Sequence, residues 1–201
     1  MINILVTGAG SLLGQGIIKT INKSKIKTKI IGTDYFDTAI GLYWVKSGYL
    51  LPDVLINNAS SFYPTPVGEI SEDDWVSLIG SNVKGPLFLS QALAPALAVS
   101  KGCIINMVDM HIDRPLPKHS VYLIAKSGLA SLTQSLAIDL APNVRVNGIA
   151  PGAILWPERE MDEDEKDKLI SSIPLGELGT PNDIAKTDSI MRFNQKTLLF
   201  S

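Results

Sequence analysis

Five short apolar runs rich in β-branched residues alternate along this chain with longer stretches of helical spacing. Strands separated in this way by helices pair as parallel neighbours through crossovers, so the pattern restricts the fold to an α/β layer arrangement. The runs predict strands at Asn3 to Thr7, Lys29 to Thr33, Val54 to Asn57, Cys103 to Val108 and Val144 to Ile149. Each is continuously apolar, as a strand covered on both faces should be. Helical spacing predicts helices over about Leu12 to Asn22, Asp37 to Lys46, Ser71 to Val99 with a break near Gly85-Pro86, and Ser120 to Leu140. Ser71-Glu72-Asp73-Asp74 reads as a capping box. A last helix, Asp162 to Ser172, opens on an acid cluster that suits the positive end of a helix dipole and otherwise reads as a solvated face. No internal repeat or low-complexity tract interrupts this order.

With 201 residues, 45% apolar and 19% charged, the composition fits one domain over residues 1–201, large enough to bury about 70% of the unfolded chain's surface. Eighteen basic against 20 acidic side chains give a net charge of −2, which offers no footprint for nucleic acid. The single cysteine, Cys103, sits in a predicted strand and reads as packing, with no disulfide partner. The longest apolar run, Ala92 to Val99, is interrupted by Pro95 and is far shorter than the roughly 20 residues of a membrane span, so no membrane association is expected. The opening Met1-Ile2-Asn3-Ile4-Leu5-Val6 reads as a strand rather than a secretory signal, and a cytoplasmic location is expected.

After the first strand comes Thr7-Gly8-Ala9-Gly10-Ser11-Leu12-Leu13-Gly14-Gln15-Gly16. Small residues there let the chain turn tightly and present backbone N–H groups to a pyrophosphate, although the Gly-x-Gly-x-x-Gly spacing is not kept. A tight βα connection is the plainer alternative. Asp34 ends the second strand twenty residues after Gly14, where a carboxylate can accept hydrogen bonds from an adenosine ribose and would repel a 2′-phosphate. Gly8, Ser11, Leu12, Gly14 and Asp34 are therefore the first cofactor candidates.

Tyr122 and Lys126, spaced i,i+4 on a predicted helix, share one face. Asn57-Asn58-Ala59-Ser60, Asp109 and Asn147-Gly148-Ile149-Ala150-Pro151-Gly152 each follow a predicted strand, and Asn82 lies within a helix. The carboxyl ends of strands form the ligand crevice of an open α/β sheet, so these residues are expected to converge. Their order resembles the short-chain dehydrogenase/reductase superfamily. The resemblance implies a Rossmann-like doubly wound, mainly parallel sheet. It makes Tyr122 the general acid of a reduction, with Lys126 lowering its pKa and holding the nicotinamide ribose. A phenol titrating near pH 10 needs such help to exchange protons at neutrality. Asn82 matches the asparagine that supports a relay water, and Asn58, Ala59, Ser60, Pro151 and Gly152 match cofactor-lining positions.

Asp109 departs from the usual serine thirteen residues before the tyrosine, and pteridine reductases carry aspartate there. From Asp53-Val54-Leu55-Ile56-Asn57-Asn58-Ala59-Ser60-Ser61-Phe62-Tyr63-Pro64-Thr65-Pro66 to about Ile184 the chain is similar to those enzymes. That likeness implies that Phe62 stacks a pterin, that Ser60 contacts cofactor or pterin, and that Asp109 and Tyr122 deliver the proton. For Phe62, loop packing is the alternative on the residue alone. His111 and His119, in the loop before the tyrosine helix, read as solvated or as local caps, and no metal set accompanies them. Arg114 reads equally as a surface charge or as a guide for an anionic substrate.

Residues 1–52 instead resemble the domain that precedes ATP-grasp ligases. Leu12 occupies the turn position where pteridine reductases have arginine. Only a short link that includes Tyr49 to Pro52 separates the helix expected to end at Lys46 from the strand at Val54, so the sheet is expected to lack one βα unit. Residues 185–201 depart from the superfamily's ending, with Thr197 to Phe200 as a short edge strand. The expected function is reduction of a pterin or dihydrofolate by NADP(H), or by NAD(H) because of Asp34, in a homodimer or homotetramer. The alternatives are a nucleotide-binding module without turnover and, more weakly, an ATP-grasp accessory domain.

Overall fold

The computed structural model describes residues 1–23, 27–33, 52–156 and 160–186. Asp34, the helix expected over Asp37 to Lys46 and the edge strand expected at Thr197 to Phe200 lie outside the described residues. Among the described residues five strands form one sheet: β1 (Ile2–Thr7), β2 (Thr28–Thr33), β3 (Val54–Asn57), β4 (Cys103–Met107) and β5 (Arg145–Ile149). All neighbours are parallel, in the order β2-β1-β3-β4-β5. Every predicted strand forms, within a residue at each end. Consecutive β2 and β3 flank β1 instead of pairing, so the order reverses between β1 and β3, and there the carboxyl ends open a crevice. Among the described residues β2 and β5 are the edges.

Pleating sends successive strand side chains to opposite faces, and two cores result. Ile4, Val6, Ile56, Ile105 and Ile149 pack with Ile17 and Ile21 of α1 (Leu12–Lys23) and with Ile184 and Ala185 of the helical segment at 181–186. Leu5, Leu55, Ile104 and Val146 pack on the other face against Leu89, Leu93 and Leu97. Those leucines belong to α3 (Gly85–Ser100), which follows α2 (Glu72–Ile79) through a π-helical turn at Gly80–Lys84. The expected break therefore falls just ahead of Gly85-Pro86. Pro86 has no N–H for the carbonyl four residues back, and its ring crowds that carbonyl, so the helix widens over the preceding turn. The Ser71 capping box forms: its hydroxyl accepts from Asp74 N at 3.1 Å, and Asp74 Oδ2 accepts from Ser71 N at 2.9 Å. The Ser71 N–H and hydroxyl, both donating to Asp74 Oδ2, hold the exposed Asp74 carboxyl below its usual pKa.

The next helix, α4 (Ser120–Asp139), is long and apolar enough to cross a membrane by length and composition, although polar residues interrupt its sequence. Its buried residues Val121, Tyr122, Ala125, Lys126, Leu129, Ala130 and Thr133 form one stripe, and the helix packs on β4 and β5. It is a core helix of this sheet. The last helix described in full, α5 (Glu163–Ser172), is capped by Asp162, whose carboxylate accepts from Glu165 N at 2.8 Å.

Candidate active site

At the end of β1 the chain turns on Gly8, whose φ of 64° is the left-handed region that favours glycine. Ser11 caps α1: its hydroxyl donates to Gly8 O at 2.8 Å and accepts from Gly14 N at 3.0 Å. The N–H groups of Leu12 and Leu13 then remain without acceptors inside the helix, at its positive end. The turn is buttressed from β3. Thr7 Oγ1 accepts from the backbone N–H groups of Asn58 and Ala59, each at 3.0 Å, and Asn58 Nδ2 donates to Thr7 O and Gly8 O, each at 3.1 Å. The sequence marked Ser11, Asn58 and Ala59 as cofactor contacts, and here their polar groups hold the turn in shape. The side chain of Leu12 is 59% exposed and brings no polar atom. A backbone so pinned, with free N–H groups at a helix start, fits the phosphates of a dinucleotide.

Beyond β4, the carboxyl end of the sheet meets α4. Tyr122 and Lys126 emerge on one face and are 5% and 3% exposed. Tyr122 Oη donates to Asp109 Oδ2 at 2.5 Å. Lys126 Nζ donates to Met107 O at 2.8 Å and lies 5.7 Å from the centre of the Tyr122 ring. The electrostatics correct one expectation. Burial and the neighbouring Asp109 carboxylate push the Tyr122 phenol well above its usual pKa of 10.0, and no compensating lowering comes from Lys126. The phenol is held protonated, the form needed to donate a proton rather than take one. Burial lowers Lys126 from 10.5 to about 8, against a smaller opposing effect of Asp109.

That depression has a stability consequence. A lysine more acidic in the folded than in the unfolded chain makes stability rise with pH between about 8 and 10.5, because there the unfolded chain binds the extra proton. The cost of burying the ammonium is present in full below pH 8. Lys126→Met is therefore expected to stabilise the protein by about 1–2 kcal/mol at pH 7, with the gain shrinking toward pH 10. Urea unfolding at the two pH values measures it, and a gain that grew with pH would contradict the assignment.

Asn82 is fully buried in the π turn. Its Oδ1 accepts from Ser60 Oγ at 2.7 Å, and its Nδ2 donates to Ser61 O at 2.9 Å and to Leu78 O at 3.0 Å. Ser60 stands beside the Tyr122 phenol and slightly opposes the rise in its pKa, so Asn82 backs the residue next to the tyrosine. Phe62 is 57% exposed, with its ring edge-on to Tyr122 at 4.9 Å and one face covered by His119, stacked at 4.7 Å. Only the other face is left to stack a ligand. Pro151 O accepts from Met110 N at 3.3 Å, and a Cβ on Gly152 would lie 3.1 Å from Met110 Sδ, so these two residues bind the loop after β5 to the loop after β4.

His111, read from the sequence as solvated or as a local cap, is bonded to Asp109. Asp109 caps a 3-10 turn, Met110–Ile112, and its Oδ1 accepts from His111 N at 2.8 Å. His111 Nδ1 approaches the same oxygen at 2.7 Å. Neither contact has a signature beyond the Asp-x-His spacing. Among the described residues no group of histidine, cysteine and carboxylate side chains is arranged to hold a metal.

Comparison with known proteins agrees with this fold. A family model described as enoyl-(acyl carrier protein) reductase matches residues 44–191. Protein FixR of Bradyrhizobium diazoefficiens is 37% identical over 140 residues, covering 66% of this chain and 50% of its own length. Pteridine reductase 1 of Leishmania tarentolae is 40% identical over 128 residues, 53% of this chain and 44% of that protein. The chain spans about half the length of the curated relatives it matches. An apo SCOR enzyme from Clostridium thermocellum superposes with a TM-score of 0.83 at 25% identity, over 97% of this chain and 87% of that one.

Proposed function

Because the chain belongs to the short-chain dehydrogenase/reductase family, we propose that it is an NAD(P)H-dependent reductase acting on the C=N bond of a pterin or dihydrofolate. The observation that carries this reading is the 2.5 Å bond between Tyr122 and Asp109, with a carboxylate where the family usually has serine. The 40% identity to a pteridine reductase supports it. The bound nicotinamide would supply a hydride to the carbon of the C=N bond. Tyr122 gives its proton to the nitrogen, and Asp109 aims the phenol until then. Lys126, cationic at neutral pH, would hold the nicotinamide ribose. Gly8, Ser11, Gly14 and the start of α1 hold the phosphates, and Phe62 offers its open face to the flat acceptor. Dimers or tetramers built on α3 and α4 belong to the same proposal, since Phe88, Ile124 and Ile138 are exposed there.

NADP(H) is the first choice of cofactor, and NAD(H) the second because of Asp34. Spectrophotometry of NADPH and NADH oxidation with dihydrobiopterin and dihydrofolate tests substrate and cofactor together. Turnover with at least one pair is expected, and equal or tighter binding of NADH would reverse the cofactor order. The second reading, a nucleotide-binding module without turnover, draws on the apolar Leu12 in the phosphate turn. It requires binding of the nucleotide but no oxidation with any acceptor. The resemblance of residues 1–52 to the domain ahead of ATP-grasp ligases ranks lower, because β1 of that segment shares one sheet with β3 of the matched body.

A further inference from the structure

We propose that His111 is a positioning residue with a protonic role: its imidazolium holds and neutralises Asp109 so that Tyr122 can release its proton. Two donors of His111, the backbone N–H at 2.8 Å and Nδ1 at 2.7 Å, converge on Asp109 Oδ1. This double contact fixes the carboxylate plane and leaves Oδ2 for the phenol, 2.5 Å away. The order from solvent inward is therefore imidazole, carboxylate, phenol, and the His111 side chain, 35% exposed, reaches water at its outer end.

The catalytic consequence rests on the reductase reading; the linkage itself does not. When a hydride reaches the carbon of a C=N bond and the phenol proton reaches the nitrogen, Tyr122 is left as a phenolate beside a carboxylate. Two adjacent negative charges oppose that step strongly. A positive imidazolium on the far side of the carboxylate offsets the second charge, and a proton from water afterwards restores the phenol. With His111 neutral, the compensation is gone. The reductive rate is thus expected to be higher at about pH 6 than at about pH 8, where less of the compensating charge is available.

Among the described residues few charged groups surround this histidine. Asp109 touches it, Tyr122 and Lys126 face Asp109 from α4, and Asp113 and Arg114 follow in the same loop. The 150–156 segment, packed on Met110, brings no titratable side chain. The protein's other imidazole, His119, is engaged with Pro117 O at 2.7 Å and stacked on Phe62, which makes it an internal reference.

His111→Asn tests the proposal, because the amide can keep a donor in the place of Nδ1 but cannot carry the proton. The variant is expected to fold, to lose about 10-fold in kcat at pH 6 with little change in KM, and to lack the falling limb of the wild-type pH profile. A profile identical to wild type, or full activity at pH 6, would overturn the proposal. The independent readout is proton NMR of the full chain without cofactor. A far-downfield Nδ1–H resonance assigned to His111 is expected in the wild type and in Tyr122→Phe, and it should move upfield in Asp109→Asn while that of His119 stays. Absence of the resonance, or no response to Asp109→Asn, also overturns it. If the wild type reduces nothing, the reductase reading fails alone, and the resonance still decides whether His111 and Asp109 share a proton.

Discussion

Tyr122→Phe is expected to lower kcat/KM for NADPH-dependent pterin or dihydrofolate reduction by about 10²- to 10⁴-fold, the range of a positioned general acid. The ring remains, so its edge contact with Phe62 at 4.9 Å and its place in the buried cluster with Leu78 and Val121 persist. Only the hydroxyl is lost, with the proton it donates. Asp109 Oδ2 then loses its partner, while Oδ1 keeps both bonds from His111. A stability loss of about 1–2 kcal/mol accompanies the change, as for any partly buried carboxylate oxygen left unpaired. That is too little to unfold an ordinary domain, so melting curves separate the chemical effect from a structural one. Activity within threefold of wild type would remove Tyr122 from the proton step.

Gly14→Ala carries the largest expected effect on stability. A Cβ at Gly14 would stand 2.1 Å from Gly8 O and 3.0 Å from Gly8 C, which is backbone of the turn itself. Gly8 cannot yield, because a Cβ there would meet Ala59 Cα at 2.8 Å and Asn58 bonds its carbonyl from β3. The turn must open or α1 must shift off the sheet. Either outcome is expected to cost about 3 kcal/mol, the upper end of overpacking effects. In a chain of this size that lowers the melting temperature by about 6–12 °C. Nucleotide binding should weaken with it, since the same displacement misplaces the N–H groups of Leu12 and Leu13. An unchanged melting temperature would mean that the turn is not held as closely as described.

Much of the architecture was legible in the residues. Continuous apolar runs marked all five strands, and the Ser71 capping box and the acidic start of α5 were visible as local patterns. Local chemistry also located the widened turn at Gly80–Lys84 to within a few residues, through Gly85-Pro86. In α4, polar residues such as Lys126, Ser127, Thr133 and Gln134 break up the apolar sequence, and only the buried stripe shows which side of this long helix faces the sheet. The convergence of Ser60, Asn82, Asp109 and Tyr122 was legible for a different reason: in a parallel sheet every strand delivers its carboxyl end to the same edge. Their bonding was not. Ser11, Asn58 and Ala59 were expected to face a cofactor, yet their polar groups mainly brace the turn.

What the amino-acid order determined by itself is the succession of strands and helices, the parallel sheet they build and the single face shared by Tyr122 and Lys126. These follow from periodicity and spacing, which act over a few residues. Only the tertiary structure decided which charge touches the phenol. Asp109 and Tyr122 lie on different elements, and the direction of a loop carboxylate depends on everything packed round it. Folding turns one of its oxygens to the tyrosine, gives the other to His111 and sends the Lys126 ammonium to Met107 O. In a buried setting contacts of this length outweigh any intrinsic pKa, so the protonation state of Tyr122 is a property of the folded site.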